Sequence, residues 1–313
     1  MARARLLLPA AARFGGQRLQ APLARVLGRA DAVSLTGQQH ARCFAVWPAG
    51  WPAAVVSRQA DRGDAAGHAW LRADPVHVRP DVTGARLLAH GRAMQVDAGD
   101  AAAILPALKP LFGDAGYLLD APVPERWYLQ LPESTVLPAF SPPDAALGAE
   151  LIEHLPGGES RSPEARRWRS LLSEVQVVLH NHPRNLERIA AGRPAINSLW
   201  FWGAGRLPDV VSCDYRWVLS EDDTLLAFAR LAGAGAAALP ARCPAIGEDL
   251  LVDLRDARDL ARLQADWLAP LFEALRAGAL RELALDCESG EGYLLLARQR
   301  WRVWRKPRHG FGA

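Results

Sequence analysis

Only two lysines, Lys109 and Lys306, stand among the 37 basic residues of this 313-residue chain. The arginine excess reads first as coding bias, although arginine's planar fork suits bidentate recognition of phosphate. Cysteine is scarce as well. Cys43, Cys213, Cys243 and Cys287 lie far apart with no C-x-x-C pair, which excludes a zinc knuckle or a disulfide framework and leaves four packing residues suited to a reducing compartment. No uninterrupted apolar run approaches the roughly 18 residues that a spanning helix needs, so no membrane partner is expected. A surplus of one charge is also missing. The formal net charge is +3, too little for a global basic field, and nucleic acid is the disfavoured partner. No internal repeat is visible.

What remains is globular. Hydrophobic residues make up 50% of the chain and charged residues 23%, far from the disordered class, and the length allows one elaborate domain or two ordinary ones. The start, Met1-Ala2-Arg3-Ala4-Arg5-Leu6-Leu7-Leu8, has the charge-then-apolar order of a signal peptide, but Pro9 stops the run and Arg13 follows. A first strand in a cytoplasmic protein is the expectation.

Patterning predicts a strand at Arg5 to Leu8, a helix at Ala21 to Gly28, a strand opening at Ala69, a helix from Asp100 to Leu111 and a strand over Glu125 to Leu131. A helix from Ser162 carries Trp168, Leu171, Leu172, Val175, Val178 and Leu179 on one face and ends near His180. Pro183 then enforces a turn at His182. Beyond Gly205 an Ala-rich helical region is expected, then a strand at Leu250 to Leu254 and a helix from Asp256 to Arg276. Strands at Leu280 to Leu285, Tyr293 to Arg298 and Trp301 to Trp304 follow. Strands and helices alternating at both ends, around an antiparallel-looking middle, predict an α/β sheet flanked by helices with an inserted α+β subdomain. The expected division is 1–68 with 209–313 as core halves and 69–208 as the insert.

Several residues invite chemistry. His77, three positions after Asp74, is a candidate general acid/base pair, against a hydrogen-bonded histidine beside a strand. Gly203 and Gly205 could admit a phosphate close to the backbone, or simply turn the chain. Trp200 and Trp202 read as core packing. Gly233-Ala234-Gly235 fits a loose dinucleotide pattern, but Leu225 to Leu231 before it reads as helix. The tail from Arg298 to Ala313 has six basic residues and no acid. With Trp301 and Trp304 interleaved it suits nucleic acid or an acidic partner, although a Lys/Arg-protected edge strand explains it more simply.

The densest signal is His182-Pro183-Arg184-Asn185 followed by Arg188, Gly192 and Asn197-Ser198-Leu199-Trp200-Phe201-Trp202-Gly203-Ala204-Gly205. This segment resembles the archaeal-type, cofactor-independent phosphoglycerate mutases, and more closely the E-type regulators of pathogenicity factors, a bacterial family resembling shortened, degenerate mutases. The resemblance spans roughly residues 70 to 208 and implies an alkaline-phosphatase-like core. It makes Arg188 the expected phosphate clamp and puts Asn185, His182, Asn197, His77, Asp74, Gly203 and Gly205 in the ligand-binding set. It also exposes departures. Pro9-Ala10 stands where an Asp-Gly metal motif follows the mutases' first strand, Arg255-Asp256-Ala257-Arg258-Asp259 replaces an Asp-plus-two-His cluster, and Asp286-Cys287 stands for an Asp-His pair. Only 108 residues (313 − 205) follow Gly205, which looks short for the family's second catalytic half. The expectation is a regulatory or binding protein without metal or cofactor, sensing a phosphorylated small acid, with a protein partner left open. The alternative is a mutase or phosphatase using Mn or Mg through Asp253, Asp256, Asp259, Asp286 and His77.

Overall fold

In a computed structural model, residues 2–81 and 84–312 are described. The chain forms two compact units, one of residues 1–50 with 209–313 and one of residues 51–208. The helix Ala53–Arg62, which the expected division puts with residues 1–68, belongs to the second unit.

The first unit opens with β1 (Ala2–Leu8), α1 (Ala21–Arg29), β2 (Asp31–Ser34) and β3 (Phe44–Trp47). The second follows with α2 (Ala53–Arg62), β4 (Ala69–Asp81), β5 (Gly84–Ala89), α3 (Ala98–Asp114), β6 (Leu118–Val123), β7 (Arg126–Leu131), α4 (Pro143–Ala146), α5 (Pro163–His180), α6 (Pro183–Ala190) and β8 (Ser198–Gly205). The chain then returns through β9 (Val210–Cys213), β10 (Trp217–Leu219), α7 (Asp223–Leu231), β11 (Gly235–Ala237), β12 (Leu250–Asp253), α8 (Leu260–Leu263), α9 (Ala269–Ala277), β13 (Leu280–Cys287) and β14 (Glu291–Leu296).

In the first unit a seven-stranded sheet runs β11-β10-β12-β1-β13-β14-β2. The first five strands are parallel, β14 runs antiparallel to β13, and β2 runs antiparallel to β14. β1 is central, which is why Leu6, Leu7 and Leu8 are all fully buried; a strand covered on both faces needs apolar side chains on both. One face, through Leu6, Val252, Leu283 and Leu285, packs on Leu27, Leu263, Trp267 and Leu271. The helix expected from Asp256 starts at Leu260, because Asp259 accepts hydrogen bonds from the amides of Ala261 and Arg262 and so caps it. After Gly205 the chain makes β9 and β10 before its helix, and residues 301–304 are not a strand.

In the second unit β4 is the spine, pairing antiparallel with β7, β8 and, at its far end, β5. Leu71, Ala73, Leu199 and Phe201 on one face meet Ile104, Leu108 and Phe112 of α3 and Trp168, Val175 and Leu179 of α5. α5 starts as its sequence predicts, with Ser162 Oγ accepting from the Ala165 amide and Pro163 in the first turn. Each fully buried large side chain contributes about 1.5–3 kcal/mol. The fold is thus mixed α/β, with helix-flanked sheets.

Candidate functional site

The segment from His182 to Gly205 lies wholly in the second unit, and its polar side chains are consumed by the fold. Arg188 is fully buried. Its guanidinium donates to Asp100 and the Met94 carbonyl, to Pro194 O at 2.9 Å and to Gln95 O at 3.4 Å. Burial draws it below arginine's ordinary value even with Asp100 beside it. Asp100 is buried too and also accepts from Arg184 at 2.7 Å and Arg193 at 3.1 Å. An external phosphate would have to displace Asp100 to reach Arg188, so the expected clamp is already closed on an internal carboxylate. Sequence reasoning missed Asp100. Its signal was the Asp97-x-x-Asp100 spacing, which forms a reciprocal capping box at the start of α3.

The neighbours act alike. His182 caps α6, its Nδ1 accepting from the Arg184 amide at 3.2 Å while Nε2 faces the Ala103 carbonyl at 3.2 Å; those partners suit the Nε2–H tautomer. Asn185 Nδ2 donates to the carbonyls of Leu179 and Ile196, and its Oδ1 accepts from the Ile196 amide, each at 2.8 Å. Asn197 Oδ1 accepts from the Val78 amide at 2.9 Å and its Nδ2 donates to the Val78 carbonyl at 2.7 Å, so a side chain supplies an extra rung of the β4–β8 ladder. A Cβ on Gly203, whose φ is +67°, would sit 2.8 Å from Ala53 Cβ, and one on Gly205 would sit 2.5 Å from Pro52 Cβ. The two glycines admit the start of α2 against β8, not a phosphate.

Asp74 and His77 occupy opposite faces of β4, since strand side chains alternate. Asp74 accepts from Arg72 Nε at 2.8 Å, Trp202 Nε1 at 2.7 Å and the Trp127 amide at 3.3 Å. His77 Nδ1 lies 2.9 Å from the Ala195 carbonyl. They make no acid/base pair.

In the first unit the chemistry gathers at the carboxyl ends of the parallel strands, where open α/β sheets place their ligands. Leu7 of β1 is in register with Asp253 of β12 on one side and Asp286 of β13 on the other. The two acids share a face and are two strand spacings apart, roughly 9–10 Å. Each has its own guanidinium. Arg255 grips Asp253 with Nε and Nη2, both at 2.7 Å, and reaches Asp222 at 3.0 Å; Ser220 Oγ donates to Asp253 at 2.7 Å. Burial opposes the charge on Asp253, but Arg255 and Ser220 outweigh it and its pKa lies below the usual carboxylate range. Arg42 grips Asp286 through Nε at 3.0 Å and Nη2, with Arg5 at 3.3 Å. Gln39 Nε2 ties the carbonyls of Leu8 and Asp286 together at 3.0 and 2.6 Å. Burial, with Arg255 and Arg42 close by, pushes His40 down to about 4.

This arrangement does not fit a two-metal centre. Paired cations sit about 3.5–4 Å apart and need several ligands each. Here two single carboxylates flank an intervening leucine strand, each already neutralised in bidentate fashion, and Pro9-Ala10 supplies no donor after β1. Among the described residues no group of three or more His, Cys, Asp or Glu is placed to hold a metal ion. Asp256 is exposed and Asp259 is a helix cap. His40 and Arg42, which complete this edge, belong to no motif, and nothing in the sequence singled them out. A separate open groove of about 480 Å³ lies at the opposite, amino-terminal ends of β10 and β12, lined by Tyr215, Arg216, Glu248 and Asp249 among others.

Over 71 residues, 23% of this chain and 17% of the relative, the sequence is 39% identical to the probable 2,3-bisphosphoglycerate-independent phosphoglycerate mutase of Geobacter sulfurreducens. Over 68 residues, 22% of the chain and 16% of the relative, it is 38% identical to the 2,3-bisphosphoglycerate-independent phosphoglycerate mutase of Methanosarcina barkeri. The matched segment thus spans only about 17% and 16% of the length of these curated relatives. The cofactor-independent phosphoglycerate mutase of Thermoplasma acidophilum superposes with a TM-score of 0.41 at 15% identity, covering 94% of this chain and 89% of that one. A Pyrococcus horikoshii protein does so with 0.39 at 14%, covering 99% and 91%. Scores this low carry no residue roles. No family model matches the chain. The sequence similarity points to cofactor-independent phosphoglycerate mutases in general; the narrower regulator family gains nothing separate from it.

Proposed function

We propose that this chain is a mutase-related regulatory or binding protein of the E-type regulator kind, with an alkaline-phosphatase-like first unit that does not carry out two-metal phosphoryl transfer. The observation that carries the reading is the pairing of Asp253 with Arg255 and of Asp286 with Arg42 on either side of Leu7. Fixed guanidinium charges stand where mobile divalent charges would be needed, and a carboxylate held by two parallel N–H bonds has little left to offer a cation. The ligand class is a phosphorylated small acid, and Arg188, whose donors are spent on Asp100 and backbone carbonyls, is not its clamp.

A second reading is a working metal-dependent mutase or phosphatase. The names of the matched relatives favour it, and the comparisons lend it more than they lend the first reading. The two separate in one assay, interconversion of 3- and 2-phosphoglycerate by the purified chain at high concentration with Mn²⁺ or Mg²⁺ and a chelator control. No turnover by folded protein is the outcome expected here; chelator-sensitive turnover establishes the second reading.

A further inference from the structure

The basic tail was expected to be an edge strand, and that explanation fails. Residues 297–301 form a 3₁₀ turn, and residues 301–304 pair with no strand. This turn and the three residues after it push large apolar side chains into solvent: Trp301 is 69% exposed, Val303 73% and Trp304 74%. Arg298, Arg300, Arg305 and Lys306 surround them, all exposed, and no acid follows Glu291. Neighbouring α1 adds exposed Arg25.

The segment is held firmly from below. Buried Gln299 donates to Asp31 at 2.9 Å and to the Leu294 carbonyl at 3.2 Å, and Arg302 pairs with Asp31 and donates to the Arg29 carbonyl at 3.2 Å. Asp31 is therefore neutralised and does not offset the exposed cations. The Lys306 carbonyl lies so close to Gly28 that a Cβ there would be 2.1 Å away. Further on, the Arg308 amide donates to the Ala24 carbonyl at 2.9 Å, and Phe311 packs beside Phe14 and Tyr293. A chain pinned on both sides of an exposed Trp-Arg-Val-Trp tip is preorganised for contact at little entropic cost.

We propose that this tip docks on an anionic lipid surface, with Trp301, Val303 and Trp304 entering the headgroup region and Arg298, Arg300, Arg305 and Lys306 meeting lipid phosphates and carboxylates. Tryptophan favours that depth and exposed cations are drawn to anionic leaflets. Stacking of nucleic-acid bases fits less well. The Arg300 guanidinium lies 5.0 Å over the Trp301 ring and covers one face of it, and Val303 offers no ring to stack on. No helix among the described residues is long and apolar enough to cross a membrane, so the contact is with one leaflet.

The test is sedimentation of the full chain with phosphatidylcholine vesicles, with and without phosphatidylserine. Binding to the serine-containing vesicles alone, weakened by salt, is expected. The Trp301→Ser/Trp304→Ser pair and, separately, Arg298→Gln/Lys306→Gln should each weaken it about tenfold or more, at unchanged thermal melting since all four side chains are exposed. Absence of binding at low salt, equal binding by either pair, or binding to a single-stranded oligonucleotide in place of vesicles would overturn the proposal. None of these outcomes depends on whether the chain interconverts phosphoglycerates.

Discussion

Both units bury arginine against aspartate, but in opposite proportions. In the second unit one buried carboxylate, Asp100, collects Arg184, Arg188 and Arg193, and the fully buried Arg188 has no water to fall back on. In the first, Asp253 and Asp286 are each gripped mainly by one arginine, and those arginines keep side-chain exposures of 27% for Arg255 and 13% for Arg42. The first arrangement locks helices and loop together. The second neutralises acids at an edge where ligands bind in sheets of this kind. A buried arginine in a family-like motif is thus no clue to ligand binding by itself; what matters is whether its donors are already spent.

The comparison breaks most readily at Asp100. Asp100→Ala leaves Arg188 buried without a countercharge and should cost about 3–5 kcal/mol in urea unfolding; a loss no larger than that of Asp253→Asn would erase the distinction between the two nodes. Gly203→Ala comes next. Its new methyl meets Ala53 at a left-handed φ, and about 1–3 kcal/mol should be lost by the same measurement. At the other edge the effect is on pH dependence. His40 is held at about 4 against its ordinary 6.5, so between those values the unfolded chain binds a proton that the folded one refuses, and stability falls as pH drops through that window. His40→Gln should flatten the slope there. Asp253, with its pKa lowered, contributes stability above the ordinary carboxylate range that is lost only in stronger acid, and Asp253→Asn should remove that lower limb. The smallest effect is expected at Leu186, 72% exposed. Leu186→Gln should change the melting free energy by less than about 0.5 kcal/mol.

That last prediction bears on what the sequence could reveal. α6 is inside out, with Asn185 and Arg188 buried and Leu186 and Ile189 exposed. Its periodicity marks two faces without saying which one is covered. β1, β4, β7, β12, β13 and α5 were legible because their apolar patterns match the faces they bury. The tail misled because Trp301-Arg302-Val303-Trp304 alternates like a strand, yet it pairs with no strand. Arg42 was invisible for another reason. Its partner Asp286 is 244 positions away, and no local pattern records a pairing made by sheet order.

The most direct check on the central claim is a titration of the purified chain with Mn²⁺, reading the free ion by paramagnetic resonance. If Arg42 and Arg255 neutralise the strand-end acids, the free-ion signal rises from the first addition. Tight uptake of two equivalents, released by Asp253→Asn or Asp286→Asn, would contradict it.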